Sequence, residues 1–324
     1  MVQTQNISDN LEKISFEKSA DGSSAMELMK QRLSRLLTEE GIIHGLSFKP
    51  RPDDVFVVTP PKCGTTWMQQ IVHQLRSGGD MSFDEISDVV PHLEFAYDTG
   101  IDIEAEQDFQ PRCYKTHSWY PHCPKGAKYI VIYREPCAAF YSNFNFLRGV
   151  FFQPEEISLS EFVRDFILVL KAPKTKAEYS SYFHHLVSWW EHRNDSNVLF
   201  LFFEDMKDDL ESVVRRVAAF IGIQDEKRIK KAVEMSSFEF MKQHVGKFSD
   251  ATLIRCRKNA CGIPDGAFLS KVVTGSATKG REMMDDITKN KIQEQWLEVV
   301  AKETGFQDYS ELRTAFNLKK KITP

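Results

Sequence analysis

No stretch of this chain is long and apolar enough to cross a bilayer. The longest apolar run, Phe162 to Leu170, is broken by Arg164 and Asp165 and falls far short of the roughly 20 residues a spanning helix needs. Met1 to Ser19 mixes polar and acidic side chains without the basic start, apolar middle and small-residue cleavage site of a secretory leader, so secretion is not expected. Cysteine is sparse and unpatterned: Cys63, Cys113, Cys123, Cys137, Cys256 and Cys261 include no CxxC pair and no matched Cys/His spacing. That argues against structural zinc and for reduced thiols in the cytoplasm. The GxxxxGK[ST] loop of ATP and GTP enzymes is missing too. Nor is there a charge excess, since 42 Lys and Arg against 46 Asp and Glu leave a net charge of −4. The chain as a whole has no electrostatic footprint for nucleic acid, and an anionic ligand must be met by local basic residues.

What is present suits a globular protein with a sizeable core: 42% of residues are hydrophobic and 27% charged, with no internal repeat or low-complexity majority. A length of 324 residues would allow two domains, yet α/β chains of this size often fold as one. The expected layout is a loose polar arm over residues 1–25 and a single domain over 26–320, opening with a helix at Ala25 to Leu37.

Three apolar runs rich in β-branched or aromatic residues, Val55 to Thr59, Lys128 to Tyr133 and Val198 to Phe203, read as buried strands, each followed by a helix. Arg112 to Thr116 is a shorter candidate. Strand then helix, three times over, predicts an α/β domain with a central parallel sheet covered on both faces. Further helices are expected at Leu159 to Leu170, Tyr179 to Arg193, Leu210 to Ile221, Glu226 to Met235 and Asp286 to Thr304. Between Val245 and Glu282 the pattern lapses into Gly, Ser, Lys and Thr, the mark of a lid or mobile loop.

In such sheets ligands bind beyond the carboxyl ends of the strands, where helix N-termini aim N–H groups and a positive dipole at anions. Lys62-Cys63-Gly64-Thr65-Thr66 occupies that place after the first strand. Gly64 lets the backbone approach an oxyanion, Thr65 and Thr66 add hydroxyl donors, and Lys62 supplies a point charge. A plain strand-to-helix turn is the bland alternative.

Pro61-Lys62-Cys63-Gly64-Thr65-Thr66-Trp67 resembles the PKSGTTW loop of the cytosolic sulfotransferases, with Cys63 in place of serine. The family also carries a KTH tripeptide, matched by Lys115-Thr116-His117. An arginine after a strand with a serine eight residues on is matched by Arg134 and Ser142. A strand ending in YEDM is matched by Phe203-Glu204-Asp205-Met206, without the tyrosine hydroxyl, and a TSF segment by Ser236-Ser237-Phe238. The family's RKGxxGxW lid is matched weakly by Arg257-Lys258-Asn259 and Gly262, with Asn259 in place of the first glycine and without the tryptophan.

The resemblance covers roughly residues 45 to 315. It implies the P-loop-kinase-like sulfotransferase fold and transfer of a sulfonate from 3′-phosphoadenosine-5′-phosphosulfate (PAPS) to a hydroxyl or amine of a small acceptor, leaving 3′,5′-bisphosphoadenosine (PAP), with no metal. In that scheme Lys62 to Trp67 cradle the 5′-phosphosulfate, Arg134 and Ser142 grip the 3′-phosphate with Arg257, Lys258 and Asn259, and Phe203, Ser236 and Phe238 meet the adenine. His117 is the general base, Lys115 offsets charge on the sulfonate, and Ser142 restrains Lys62.

Leu93, Phe95, Phe144, Phe146 and Phe151 fall near segments that line the acceptor pocket in relatives, Phe146 foremost, although aromatics at such spacing are also ordinary core; Trp189-Trp190 reads as packing. Expected partners are thus a small-molecule acceptor, with a homodimer as an open option, and neither nucleic acid nor membrane. Two rivals stay open. One is a nucleotide-dependent phosphotransferase, suggested by an apolar strand ending in Glu204-Asp205 like a magnesium-binding site. The other is a family member that binds the nucleotide but has drifted from this chemistry.

Overall fold

Four short segments pair into one parallel sheet: β1 (Val55–Val58), β2 (Cys113–Thr116), β3 (Lys128–Tyr133) and β4 (Val198–Phe202), in the spatial order β2-β1-β3-β4. The computed structural model describes residues 23–267, 269, 271–272 and 278–322; residues 1–22 of the expected arm lie outside that set. β1 is central, with Val55 level with Cys113 of β2 on one side and Lys128 of β3 on the other. Alternate residues face opposite layers. Phe56, Val58, Tyr114, Val131, Tyr133, Phe200 and Phe202 enter one core, with Trp189 and Trp190 packed there as the sequence suggested. Val55, Val57, Ile130, Ile132 and Leu201 enter a second core beneath Ile71, Val72, Val214 and Val217. Burial on both faces is why β1 and β3 read as unbroken apolar runs rather than alternating ones.

A buried ion pair fixes the amino-terminal ends of β1 and β2. The Arg112 guanidinium donates from Nε to Asp54 Oδ1 (2.9 Å) and from Nη2 to Asp54 Oδ2 (2.7 Å), and both side chains are 2% exposed. This two-pronged contact is specific in geometry as well as strong. It sits immediately before both strands, so it helps set the register that places the far ends of β1 and β2 side by side.

Helices Leu210–Ile221 and Glu226–Met235 have the bounds the periodicity predicts. Three segments differ. The helix expected from Tyr179 starts at Tyr182, because Ser181 caps it by accepting from the His184 N–H. β4 stops at Phe202, and Phe203 opens the helix Phe203–Asp208. Within the stretch expected to be irregular, Ala251–Cys261 is a helix that buries Leu253, Ile254 and Cys261 and ends at Gly262 with φ 61°. Arg255, Arg257 and Lys258 crowd the middle of that segment and hide its apolar side from a periodicity count. No helix among the described residues is long and apolar enough to cross a membrane.

Replacing Asp54 by Ala strands the buried Arg112 guanidinium without its counter-charge. The expected loss is about 3–5 kcal/mol of stability, the range for breaking one side of a buried pair. Urea unfolding measures it, and a loss below about 1 kcal/mol would mean the pair is dispensable.

Candidate active site

At its carboxyl end β1 passes through Thr59, Pro60 and Pro61 into a turn whose backbone is left-handed at two positions, Lys62 (φ 67°) and Gly64 (φ 100°). A lysine there is uncommon and strained, of the kind that collects at ligand sites. Gly64 has a second reason to be glycine: a Cβ would stand 2.9 Å from Cδ2 of Phe203. The turn feeds helix Thr65–Ser77, whose amino-terminal residue Gly64 offers no side-chain cap. The first N–H groups of this four-turn helix therefore face out of the turn with the positive end of its dipole behind them.

β2 ends next to β1, Val58 level with Thr116, which carries His117 to the same edge. The His117 Nδ1–H donates to the Thr59 carbonyl at 2.7 Å, and the Thr59 hydroxyl lies 3.5 Å from the same nitrogen. A carbonyl can only accept, so the proton sits on Nδ1 and Nε2 presents a lone pair; among the described residues nothing hydrogen-bonds to it. Glu94 steadies the backbone beneath, its Oε1 accepting from His117 N–H and the Thr116 hydroxyl at 2.8 Å each. The Thr59 and Thr65 hydroxyls are 2.5 Å apart, tying the imidazole to the helix N-terminus. The His92 ring stands edge-on to His117 at 4.9 Å. His92 Nε2 is 3.2 Å from Glu94 Oε2, yet out of line for a hydrogen bond, so both ring nitrogens are buried without partners.

Positive charge is concentrated here. Burial, reinforced by Lys271, Lys115 and Arg134, pushes the Lys62 pKa down to about 7. Burial and Lys271 push Lys115 down to about 8. Burial first, then Lys115 and His92, hold His117 well below the ordinary imidazole value, so it is neutral at physiological pH. The Lys62 ammonium rests 3.7 Å from the centre of the Phe146 ring. The Arg134 guanidinium donates to the Lys62 carbonyl at 3.1 Å and lies 4.4 Å over the Phe203 ring.

Most residues singled out in the sequence thus meet. Lys62 to Trp67, Lys115, His117, Arg134, Phe146 and Phe203 line one edge of the sheet. Ser142 lies one turn before Phe146 in helix Pro136–Leu147. The Trp67 indole packs against Phe203 (5.6 Å) and donates to the Ser236 carbonyl (2.7 Å), with Phe238 opening the next helix. Phe95 stacks on His92 at 3.8 Å, with Lys115 5.9 Å over its ring. Phe151 and Leu93 are fully enclosed, and Phe144 is buried against Phe152 and Phe162; these present no surface to an acceptor. A narrow crevice between Leu46, Trp119, Lys176 and Tyr179 reaches His117. A wider groove of about 880 Å³ beside Trp190, Arg216 and Phe316 holds none of these residues.

Arg257, Lys258 and Asn259 do not join the site. Arg257 donates to the carbonyls of Leu36 (3.2 Å) and Arg35 (2.8 Å), Lys258 pairs with Asp265, and Asn259 is exposed. A different basic triplet, Lys279-Gly280-Arg281, crosses the start of helix Pro136–Leu147. There a Cβ on Gly280 would come within 2.3 Å of the Cys137 carbonyl oxygen, and Arg281 Nε is 3.9 Å from Glu135 Oε1, next to Arg134. A glycine between two basic residues was the available signal.

Comparison with known proteins agrees with this arrangement. The sulfotransferase domain family model matches residues 52–302. The chain belongs to the sulfotransferase family. It is 33% identical over 215 residues to the amine sulfotransferase of Oryctolagus cuniculus, covering 64% of this chain and 69% of that protein. It is 35% identical over 189 residues to sulfotransferase 4A1 of Homo sapiens, covering 56% and 64%. The chain therefore spans about two thirds of the length of these relatives. Retinol dehydratase in complex with androsterone and the inactive cofactor PAP shares the fold, with a TM-score of 0.65 and 21% identity over 91% of this chain and 98% of that one.

In this sulfotransferase-family chain the tautomer of His117 is a direct test of the site. Nitrogen-15 NMR on selectively labelled protein should show Nδ1 protonated, Nε2 bare, and no titration between pH 8 and pH 5.5; an Nε2–H tautomer or titration near pH 6.5 would refute the geometry.

Proposed function

We propose that this chain transfers a sulfonate group from PAPS to a hydroxyl or amine of a small acceptor, with His117 as general base. The observation that carries the reading is a neutral imidazole, its Nδ1 held by the Thr59 carbonyl and its Nε2 open, between Lys115 and the uncapped helix behind Lys62. The residues suit a donor of this kind. Open N–H groups and several cations call for a multiply charged anion, and the left-handed backbone at Gly64 makes room for one.

PAPS, when bound, supplies the sulfonate. His117 Nε2 takes the proton of the attacking group, and Nδ1–H keeps the ring aligned while the imidazolium forms. Lys62 and Lys115 hold positive charge where negative charge grows, in a desolvated place where a fixed ammonium acts strongly. Arg134 and Ser142, with Arg281 in place of Arg257, suit the 3′-phosphate, and Phe203, Trp67 and Phe238 offer apolar surface for the base.

The phosphotransferase alternative loses its support. Glu204 accepts from the Glu135 N–H (3.0 Å) and the Tyr309 hydroxyl (2.5 Å), and Asp205 is bound by Arg313 and Asn317, so both carboxylates are taken up by structural contacts.

His117→Ala should abolish sulfonate transfer from labelled PAPS while PAP affinity changes less than about threefold; loss of binding with surviving turnover would refute the role. Arg281→Ala should weaken PAP about tenfold, and Arg257→Ala should leave it unchanged; the reverse ranking would restore the sequence-based assignment.

Because an anion favours charged Lys62 and Lys115, PAP binding should take up protons above pH 7. The affinity should be highest below about pH 7 and fall about tenfold or more by pH 9, as the free protein loses those charges. Calorimetry in buffers of different ionisation enthalpy reads the uptake, and pH-independent binding would sink this account.

A further inference from the structure

A buried ion pair that no motif marks lies within electrostatic range of Lys62, Lys115 and His92. Asp250 leads into helix Ala251–Cys261, and its Oδ1 lies 2.5 Å from the Lys271 ammonium, which also donates to the Ser249 carbonyl at 3.1 Å. The two side chains are 5% and 6% exposed. The segment is fastened from the other side, where the Glu85 carboxylate accepts from the Thr252 N–H at 3.0 Å. Asp250 and Lys271 each act electrostatically on Lys62, Lys115 and His92. Glu85 is also within range of both, and Glu94 of Lys115.

Glu94 spends one oxygen on Thr116 and His117, and Glu85 one on Thr252. Asp250 is the carboxylate bonded directly to one of the lysines. Against burial, which alone would raise its pKa, Lys271 and Lys115 hold it ionised. The cations Lys62, Lys115, Lys271 and Arg134 outnumber the carboxylates Asp250, Glu85 and Glu94 that act on them, and burying charge is costly unless it is compensated. A helical residue or a loop lysine whose task was only structural would not have to be placed among the reaction site's cations.

We propose that Lys271 is a third anion-holding ammonium of this reaction site, and that Asp250 is the built-in counter-anion that an incoming tetrahedral oxyanion must displace from it. The inference deepens the sulfotransferase reading and rests on it only for naming that oxyanion, a sulfonate. It makes Asp250 a competitor of the ligand: two negative groups cannot both occupy the lysine cluster without mutual repulsion.

Inorganic sulfate is the probe, titrated by calorimetry against the full chain at low salt. Asp250→Asn should bind sulfate about tenfold more tightly than the original chain, Lys271→Met about tenfold more weakly, and the double variant should lose most of the gain. Lys271→Arg should restore binding, which a merely structural lysine would not require. Unchanged or weaker sulfate binding in Asp250→Asn overturns the proposal, as does Lys271→Met binding as the original does.

Should Asp250→Asn not fold, the Lys271→Met and Lys271→Arg pair decides by itself. PAP is titrated in parallel. If PAP fails to bind while sulfate follows the expected order, the nucleotide reading falls and the oxyanion site stands. If PAP binds but sulfate ignores both substitutions, the inference falls alone.

Discussion

Everything at this site follows from gathering positive charge in a place with little water. β1, β2 and β3 run parallel, so Lys62, Lys115 and Arg134, each carried at or just past a strand's carboxyl end, converge without any of them having to reach far. The sheet can hold that strain because its own interior is dry and interlocked, with one aromatic layer and one aliphatic layer. The Asp54–Arg112 pair pins the opposite ends of two of these strands. Burial first, and repulsion among the cations after it, lowers the pKa values of the lysines, and that uncompensated charge is also what makes an anion welcome.

The same crowding explains how a histidine can serve as a base beside lysines. In water an imidazole next to a carboxylate gains charge; here burial first, and then Lys115, keeps His117 neutral, as the proposed role of base requires. Its usable nitrogen is chosen by Thr59, whose carbonyl fixes the proton on Nδ1 and whose hydroxyl meets Thr65. One residue at the end of β1 therefore orients both the base and the first residue of the helix that faces the anion. Orientation and electrostatics are set by the backbone, which loses nothing when a ligand arrives.

How much of this was legible depended on whether a feature was local. The strands were legible because burial on both faces leaves continuous apolar runs; Lys62 was legible from its place in the turn after the first run, and Lys115, His117, Arg134 and Ser142 through the resemblance of their motifs to the sulfotransferase pattern. Phe203 was misread as the last strand residue, since nothing in its own identity says that the chain turns helical there to pack on Gly64. Arg257 was assigned and Arg281 overlooked for a different reason. Adjacent basic residues look alike in a sequence, and only the close passage of Gly280 over Cys137 and the anchoring of Arg257 to Arg35 and Leu36 tell them apart. Asp250 and Lys271 are 21 residues apart, and their pairing is a tertiary fact with no local signature.

Two of the departures from the family's sequence pattern, Cys63 and Phe203, are packing solutions that leave the cationic site whole. Cys63 is fully buried, its thiol pushed up to about 12 by burial, and it turns toward the Pro61 carbonyl rather than outward. At that position the side chain fills the underside of the turn and leaves the backbone N–H groups of the proposed anion site uncovered. Phe203 supplies a ring that touches Gly64, flanks Trp67 and carries the Arg134 guanidinium on its face, so removing a hydroxyl there leaves the cation's support intact. Neither change removes an ammonium, a guanidinium or the imidazole. By the same logic, the position where a conservative change would matter most is Gly64, where the backbone's handedness and the nearness of Phe203 both forbid a side chain.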